Sequence, residues 1–245
     1  MKKSVFTLER TQQLAGDVWE LILAGDTSAV TAPGQFVNIA LPGKYLRRPI
    51  SVCDWDKHRL ILLVKEAGEG TRRLVHLSAG EKLDMLTGLG NGFDISKTDE
   101  HTVLVGGGIG IAPLYGLATR MAEQGCRSTA VLGFRSKEDA FYLEKFAALG
   151  LDVRTVTEDG SLGAKGFVTD VLRGIQGCAY VCACGPAAML RAVHGLPQIT
   201  RGQFSFEARM ACGFGACVGC TIQTKKGLCR VCKDGPIFQK EDILW

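Results

Sequence analysis

Residues 102–119 read TVLVGGGIGIAPLYGLAT, the longest uncharged stretch of the chain. Thr102–Val105 is a short apolar strand, Gly106-Gly107-Gly108-Ile109-Gly110 is a turn, and a helical pattern begins at Ala112. A strand, a glycine turn and a helix N-terminus bring unpaired backbone N–H groups and the positive end of a helix dipole to one point, which is a seat for a pyrophosphate. The string is not G-x-G-x-x-G, because Ile111 stands where the last glycine would fall. Taken alone, it also reads as an ordinary tight strand–helix turn. It is glycine-rich, contains Pro113 and falls short of the ~20 apolar residues that a spanning helix needs.

The same rhythm continues towards the C-terminus. Strand-like runs at Ser128–Gly133, Val153–Thr157 and Tyr180–Cys184 alternate with helical patterns. Ser136 and Asp139 approximate a capping box for a helix over Lys137–Ala148, with Gly150 past its end. Pro186 opens a helix running to about His194, and Gly195 stops it. This alternation predicts a parallel sheet with helices on both faces across residues 99–200. Ligands of such sheets sit outside the carboxyl ends of the strands. Cys184-Gly185-Pro186 therefore faces the same crevice as Gly107, Gly108 and Gly110. The plainer reading of Cys184 is burial, which Cys178 and Cys182 nearby favour.

Before the glycine turn the pattern differs. Residues 1–98 hold short runs rich in branched residues, Val18–Leu23, Gln35–Ala40 and Leu60–Val64, separated by Pro33-Gly34, Pro42-Gly43, Gly68 and Gly80. Many short strands at close spacing predict a closed antiparallel barrel. Arg47-Arg48-Pro49-Ile50-Ser51 lies between two of these strands, and Gly70-Thr71-Arg72-Arg73-Leu74 turns into a helix. Paired arginines by themselves are usually solvated surface.

Residues 201–245 form a third zone. Five of the ten cysteines fall between Cys212 and Cys232. Cys212, Cys217 and Cys220 are separated by four and two residues, and a later cysteine completes the plant-type [2Fe–2S] spacing. Spacing leaves Cys229 and Cys232 both open as the fourth ligand. Cys217-x-x-Cys220 with Cys229-x-x-Cys232 also fits a structural zinc site, although that leaves Cys212 idle and the intervening glycines without a task. Seven Lys/Arg against four Asp/Glu place +3 of the chain's +4 in this zone. That excess would offset the −2 of an oxidised cluster bound by four thiolates.

The whole has 245 residues, 46% hydrophobic and 22% charged, which excludes a disordered chain or a fibre. A charge of +4 is too weak to argue for nucleic acid. Glu9 and Arg10 interrupt the start before any apolar stretch, so no signal peptide is expected. Ten cysteines in a cytoplasmic protein are thiols or metal ligands rather than disulfides.

Together these residues resemble the ferredoxin reductase-like flavoproteins. That resemblance implies a multi-domain β + α/β chain: an FAD-binding antiparallel β-barrel at 1–98, a parallel α/β NAD-binding domain at 99–200 and a small [2Fe–2S] domain at 201–245. Arg48, Pro49, Ile50 and Ser51 match the family's R-P-x-S motif, where the arginine meets the flavin pyrophosphate and the serine reaches the isoalloxazine. Gly70 and Thr71 match the helix start on the same phosphates, and Leu63, Val64 and Lys65 line the same site. Gly107, Gly108 and Gly110 match the nucleotide loop. Cys184, Gly185 and Pro186 match the segment that approaches the nicotinamide.

The string from Glu207 to Cys220, EARMACGFGACVGC, with VCKDGP at 231–236, resembles the electron-transfer subunits of NAD-dependent dihydroorotate dehydrogenases. By that match Cys232, not Cys229, is the fourth ligand. The resemblance implies electron flow from an FMN-containing catalytic subunit through the cluster and FAD to NAD+, in a heterotetramer of two of each subunit, as a step of pyrimidine biosynthesis. It implies cofactor placement rather than acid–base catalysis, and no oxidation of dihydroorotate by this chain alone. Phe214 and Phe238 are candidate anchors for the partner, against ordinary core packing. Arg135-Ser136-Lys137 is a candidate seat for a 2′-phosphate, although the resemblance implies NAD. Two other readings are a nicotinamide-linked subunit of another iron–sulfur flavoenzyme (hydrogenase, sulfite reductase or transhydrogenase type) and a zinc-stabilised nucleotide-binding module without redox role.

Overall fold

Alternation of apolar and polar residues builds the N-terminal unit. A computed structural model of the chain describes residues 1–98, 101–126 and 128–245. The first six strands are β1 (Lys2–Ala15), β2 (Val18–Ala24), β3 (Phe36–Ile39), β4 (Arg48–Trp55), β5 (Arg59–Lys65) and β6 (Lys82–Leu89). They close an antiparallel barrel in the order β1-β2-β5-β4-β3-β6. Phe6, Leu8, Leu21, Leu23, Leu60, Leu62 and Met85 fill its interior, while their neighbours along each strand face out, as a period of two requires. Helix α1 (Glu69–Val75) links β5 to β6. Strand β1, 14 residues long, carries charges such as Glu9 and Arg10 on its outer face, so it lacks the branched apolar run that marks β2 and β5 in the sequence.

The second unit alternates strands with helices. Strand β7 (Val103–Gly107) leads into α2 (Ile111–Glu123), β8 (Thr129–Phe134) into α3 (Leu143–Ala148), and β9 (Asp152–Thr157) and the short β10 (Ala164–Lys165) into α4 (Val168–Arg173). Strand β11 (Tyr180–Cys184) leads into α5 (Ala187–His194), and β12 (Arg201–Ser205) follows. A hairpin, β13 (Thr221–Thr224) with β14 (Gly227–Arg230), precedes β15 (Ile237–Gln239). The sheet order is β10-β9-β8-β7-β11-β12-β15, parallel except for β15. Within β7, Leu104 packs on one face and Val103 and Val105 on the other, the doubly buried pattern of a parallel sheet between helices.

Two features differ from expectation. The helix predicted over 137–148 is a single 3-10 turn at Lys137–Asp139 followed by the short α3. Ser136 Oγ donates to Asp139 Oδ2 at 3.3 Å rather than capping a helix. The break is made by Tyr142, which holds φ at +64°, a left-handed conformation that costs ~1–2 kcal/mol for a non-glycine residue. Tyr142 is wedged between the units. Its ring packs edge-on to Tyr115 at 5.0 Å, and its hydroxyl donates to Glu20 of β2. Second, β12 and β15, both from 201–245, complete the sheet of 99–200, so these two segments share one core. The expected boundary at 98/99 abuts residues 99 and 100, which lie outside the described residues.

Glu20 fastens the barrel to the second unit. It is 2% exposed and accepts from Tyr142, from Lys145 Nζ at 2.7 Å and from Arg10 Nη2 at 3.0 Å. Burial alone would raise its pKa, but hydrogen bonds from Lys145 and Tyr142, with the charge of Lys145, hold it below the ordinary carboxyl value. No helix among the described residues is long and apolar enough to cross a membrane.

Candidate functional site: two cavities and a cysteine loop

The paired arginines serve different ends. Arg47 stitches the barrel, with Nη1 donating to the carbonyls of Asn38 and Asp84 and Nη2 to Asp84 Oδ1 at 2.8 Å. Arg48 lies across the start of α1, where a Cβ on Gly70 would strike its guanidinium; glycine keeps that approach open. The Thr71 hydroxyl accepts from the Ala67 N–H at 2.9 Å and the Gly68 N–H at 3.2 Å and donates to the Gly68 carbonyl, closing its own turn.

Pro49, Ile50, Ser51, Leu63, Lys65, Gly110 and Cys184 come together around a cavity of about 240 Å³ between the barrel and the sheet. Val64 does not join them, because alternation along β5 turns it into the barrel core. Gly107, Gly108 and Pro186 line a second cavity of about 610 Å³ at the carboxyl ends of β7, β8, β9 and β11. Gly185 sits where the two loops meet, and a Cβ there would lie 3.1 Å from the Gly107 nitrogen. A Cβ on Gly110 would come within 2.5 Å of the Cys184 carbonyl, so the two loops close on each other only with glycine there. Lys65 and Ile109 line both cavities, and Lys65 Nζ pairs with Asp17 at 3.4 Å. Cys184 is buried and its thiol is pushed up to about 12, which makes it a neutral contact surface and not a nucleophile.

Ser205, Phe206, Glu207, Ala208 and Met210 also line the smaller cavity. In the sequence alone Glu207 and Met210 are legible only as part of the cysteine string. Their place just beyond β12, a strand ending beside β11, was the available signal.

Cys212 lies two residues past Met210. The four cysteines form two pairs. Cys217 Sγ lies 3.4 Å from Cys212 Sγ, and the Cys217 N–H donates to Cys212 Sγ at 3.4 Å. The Cys232 N–H donates to Cys220 Sγ at 3.5 Å. Burial raises Cys212, but N–H groups of Cys217, Phe214 and Ala216 outweigh it and lower the thiol to about 6. Burial and the neighbouring Cys220 push Cys232 up to about 12. Among the described residues no three His, Cys, Asp or Glu side chains gather as ligands of one metal ion. Two thiol pairs under backbone N–H groups fit two irons, each taking two thiolates, better than one zinc. Cys229 Sγ is engaged by the Thr224 hydroxyl at 3.5 Å, on a hairpin strand. The positive charge of this segment is partly spent locally, because Lys226 pairs with Asp242 and Arg230 with Asp234. Arg230 also donates to the Gly215 carbonyl at 2.7 Å and braces the cysteine loop. Phe214 is 43% exposed, whereas Phe238 is core.

Comparison with known proteins agrees with this layout. Residues 207–244 match the iron–sulfur cluster binding domain of dihydroorotate dehydrogenase B, and residues 104–195 match the oxidoreductase NAD-binding domain. A relative from Listeria monocytogenes serotype 4a (strain HCC23), dihydroorotate dehydrogenase B (NAD(+)), electron transfer subunit, is 42% identical over 94% of both chains. The protein of the same name from Bacillus mycoides (strain KBAB4) is 40% identical over 100% of this chain and 99% of its own. This chain belongs to the dihydroorotate dehydrogenase B electron transfer subunit family. Membership favours that reading over the other iron–sulfur flavoenzymes and over a zinc module. Among solved structures, the NADH-dependent reduced ferredoxin-NADP oxidoreductase superposes with a TM-score of 0.88 at 28% identity, covering 98% of this chain and 90% of that one. Phthalate dioxygenase reductase, at 19% identity and a TM-score of 0.66, shares the fold.

Proposed function

We propose that this chain passes electrons from an FMN-containing dihydroorotate dehydrogenase catalytic subunit through a [2Fe–2S] cluster and FAD to NAD+, as the reductase subunit of a heterotetramer of two of each chain. The observation that carries this is the segment from Ser205 to Cys212. Its first residues line the smaller cavity, and its last is a cluster-type cysteine, so one short stretch of backbone joins the two redox seats. FAD, when bound, supplies the exchange between single electrons and a hydride pair.

The chain's residues have separable tasks in this reading. Arg48 over the Gly70–Thr71 turn receives the flavin pyrophosphate. Pro49, Ile50, Ser51, Leu63 and Lys65 bound the isoalloxazine. Gly107, Gly108, Gly110, Gly185 and Pro186 admit the nicotinamide nucleotide, and Cys184 packs where its ring meets the flavin. Cys212, Cys217, Cys220 and Cys232 hold the irons. The exposed Phe214 is the partner-facing aromatic. The proposed location is the cytoplasm, in keeping with ten cysteines of which none is joined in a disulfide.

The test is co-expression with an FMN-containing catalytic subunit. Dihydroorotate-driven NAD+ reduction should appear only when both chains are present. A catalytic subunit that reduces NAD+ equally well alone, or a purified chain lacking flavin, would refute the proposal.

Selection of NAD over NADP follows from charge. Arg135 is tied to Asp139 at 3.4 Å and shares the larger cavity with Asp139 and Glu158. A 2′-phosphate brought to Arg135 meets both carboxylates, and like charges in contact are strongly disfavoured. Asp139→Asn with Glu158→Gln is expected to raise the NADPH/NADH ratio of kcat/KM about tenfold, equivalent to ~1.4 kcal/mol. Ferricyanide reduction with each nucleotide measures it.

A further inference from the structure

Asn38 of β3 is a buried polar residue that none of the roles above employs. It is 1% exposed. Its Nδ2 donates to the Cys212 carbonyl at 3.0 Å, across 174 positions of sequence. Gly213, with φ at +77°, lies flat against the same amide, and a Cβ there would run into Asn38 Nδ2. On its other side Asn38 pairs through the backbone with Pro49 of β4, and Pro49, Ile50 and Ser51 line the smaller cavity.

The other half of the amide is left over. Asn38 Oδ1 is buried and has no hydrogen-bond partner among the described residues. Turning the amide over would not help, because the Cys212 oxygen is an acceptor and needs the NH2 group. A leucine of similar size would bury no such orphan. An amide at this position therefore costs stability, and its return is the hold on Cys212.

We infer that Asn38 is a positioning residue for the cluster: its amide fastens the loop that carries Cys212 to the barrel strand that backs the flavin cavity. This rests on the assignment of Cys212, Cys217, Cys220 and Cys232 as cluster ligands. The hold sets the separation of the two redox seats. It also places an N–H dipole on the peptide of a ligand, and contacts of that kind tune metal centres.

The test uses the full chain, loaded with FAD and cluster and co-purified with its catalytic subunit, as wild type, Asn38→Leu, Gly213→Ala and the double variant. In Asn38→Leu, FAD content and bleaching of the flavin band by NADH should match wild type. Reduction of the cluster by NADH in stopped flow should slow at least about tenfold, and the electron paramagnetic resonance signal of the reduced cluster should change shape. The double variant should be no slower than the worse single variant, since both substitutions break one contact. If Asn38→Leu does not accumulate as holoprotein, the smaller Asn38→Ala gives the same readouts. A variant at Asn38 with wild-type signal and wild-type cluster reduction overturns the inference alone, as does full additivity in the double variant. A wild-type chain that holds no iron–sulfur cluster overturns the ligand assignment and this inference with it.

Discussion

Replacing Cys232 with serine is expected to strip the cluster from the chain, while Cys229→Ser leaves it in place. Two arguments separate these cysteines. Cys232 is 2% exposed and its N–H donates to Cys220 Sγ, so the pair shares one buried site. Cys229 is engaged by the Thr224 hydroxyl within its own hairpin. A serine oxygen is a hard, poorly acidic substitute for a soft thiolate on iron. Losing an outer-shell partner of a metal site already costs 10–100-fold, so loss of a ligand should lower dihydroorotate-to-NAD+ transfer by at least ~100-fold. Flavin content and NADH–ferricyanide activity should survive in both variants, because the proposed flavin seat draws on β4, β5 and α1, and its C-terminal lining ends at Met210, before the cysteines. Iron and sulfide analysis with electron paramagnetic resonance reads the result. Retention of the cluster in Cys232→Ser, with its loss in Cys229→Ser, would reverse the assignment.

Lys145→Met should loosen the join between the barrel and the nucleotide-binding unit, with a cost of ~2–3 kcal/mol near neutral pH. Breaking a buried ion pair by removing one partner typically costs 3–5 kcal/mol. The lower figure applies because the Lys145 side chain is 45% exposed and partly screened, against 3% for Glu20. The pH dependence gives the sign. The folded-state pKa of Glu20 is lowered below 4.5, so its contribution is full above that value and is lost as pH falls through the folded pKa. The penalty of Lys145→Met should therefore be largest at neutral pH and shrink in acid, as Glu20 takes up a proton. Denaturant titrations of both proteins at pH 7 and below 4.5 would measure it. A penalty independent of pH would mean that Lys145 acts through its ammonium over the Tyr142 ring and not through its pairing with Glu20.

The extent to which the site was legible varies with the range of the interaction. The glycine turn after β7, the Pro186 start of α5 and the spacing of Cys212, Cys217 and Cys220 are local, and backbone geometry ties each to neighbours within a few residues. Strand β11 fell on Tyr180–Cys184 as read, because a doubly buried parallel strand is a continuous apolar run. Strand β1 was missed, since a one-sided barrel strand carries charges outward. The helix over 137–148 was overextended, since its local pattern is helical and only the wedge of Tyr142 against Glu20, 122 positions away, breaks it.

The sequence by itself therefore determined the order of modules, the kind of each, and the identity of a cysteine-rich redox tail. Only the tertiary structure decided that Arg47 is stitched into the barrel, that Val64 turns inward while Leu63 and Lys65 do not, and that Cys229 is engaged elsewhere. It alone joined Asn38 to Cys212 and Glu20 to Lys145. Periodicity and spacing act through bonded neighbours and are written along the chain. Contacts between residues more than a hundred positions apart depend on strand register and on how two cores meet, which no local pattern encodes.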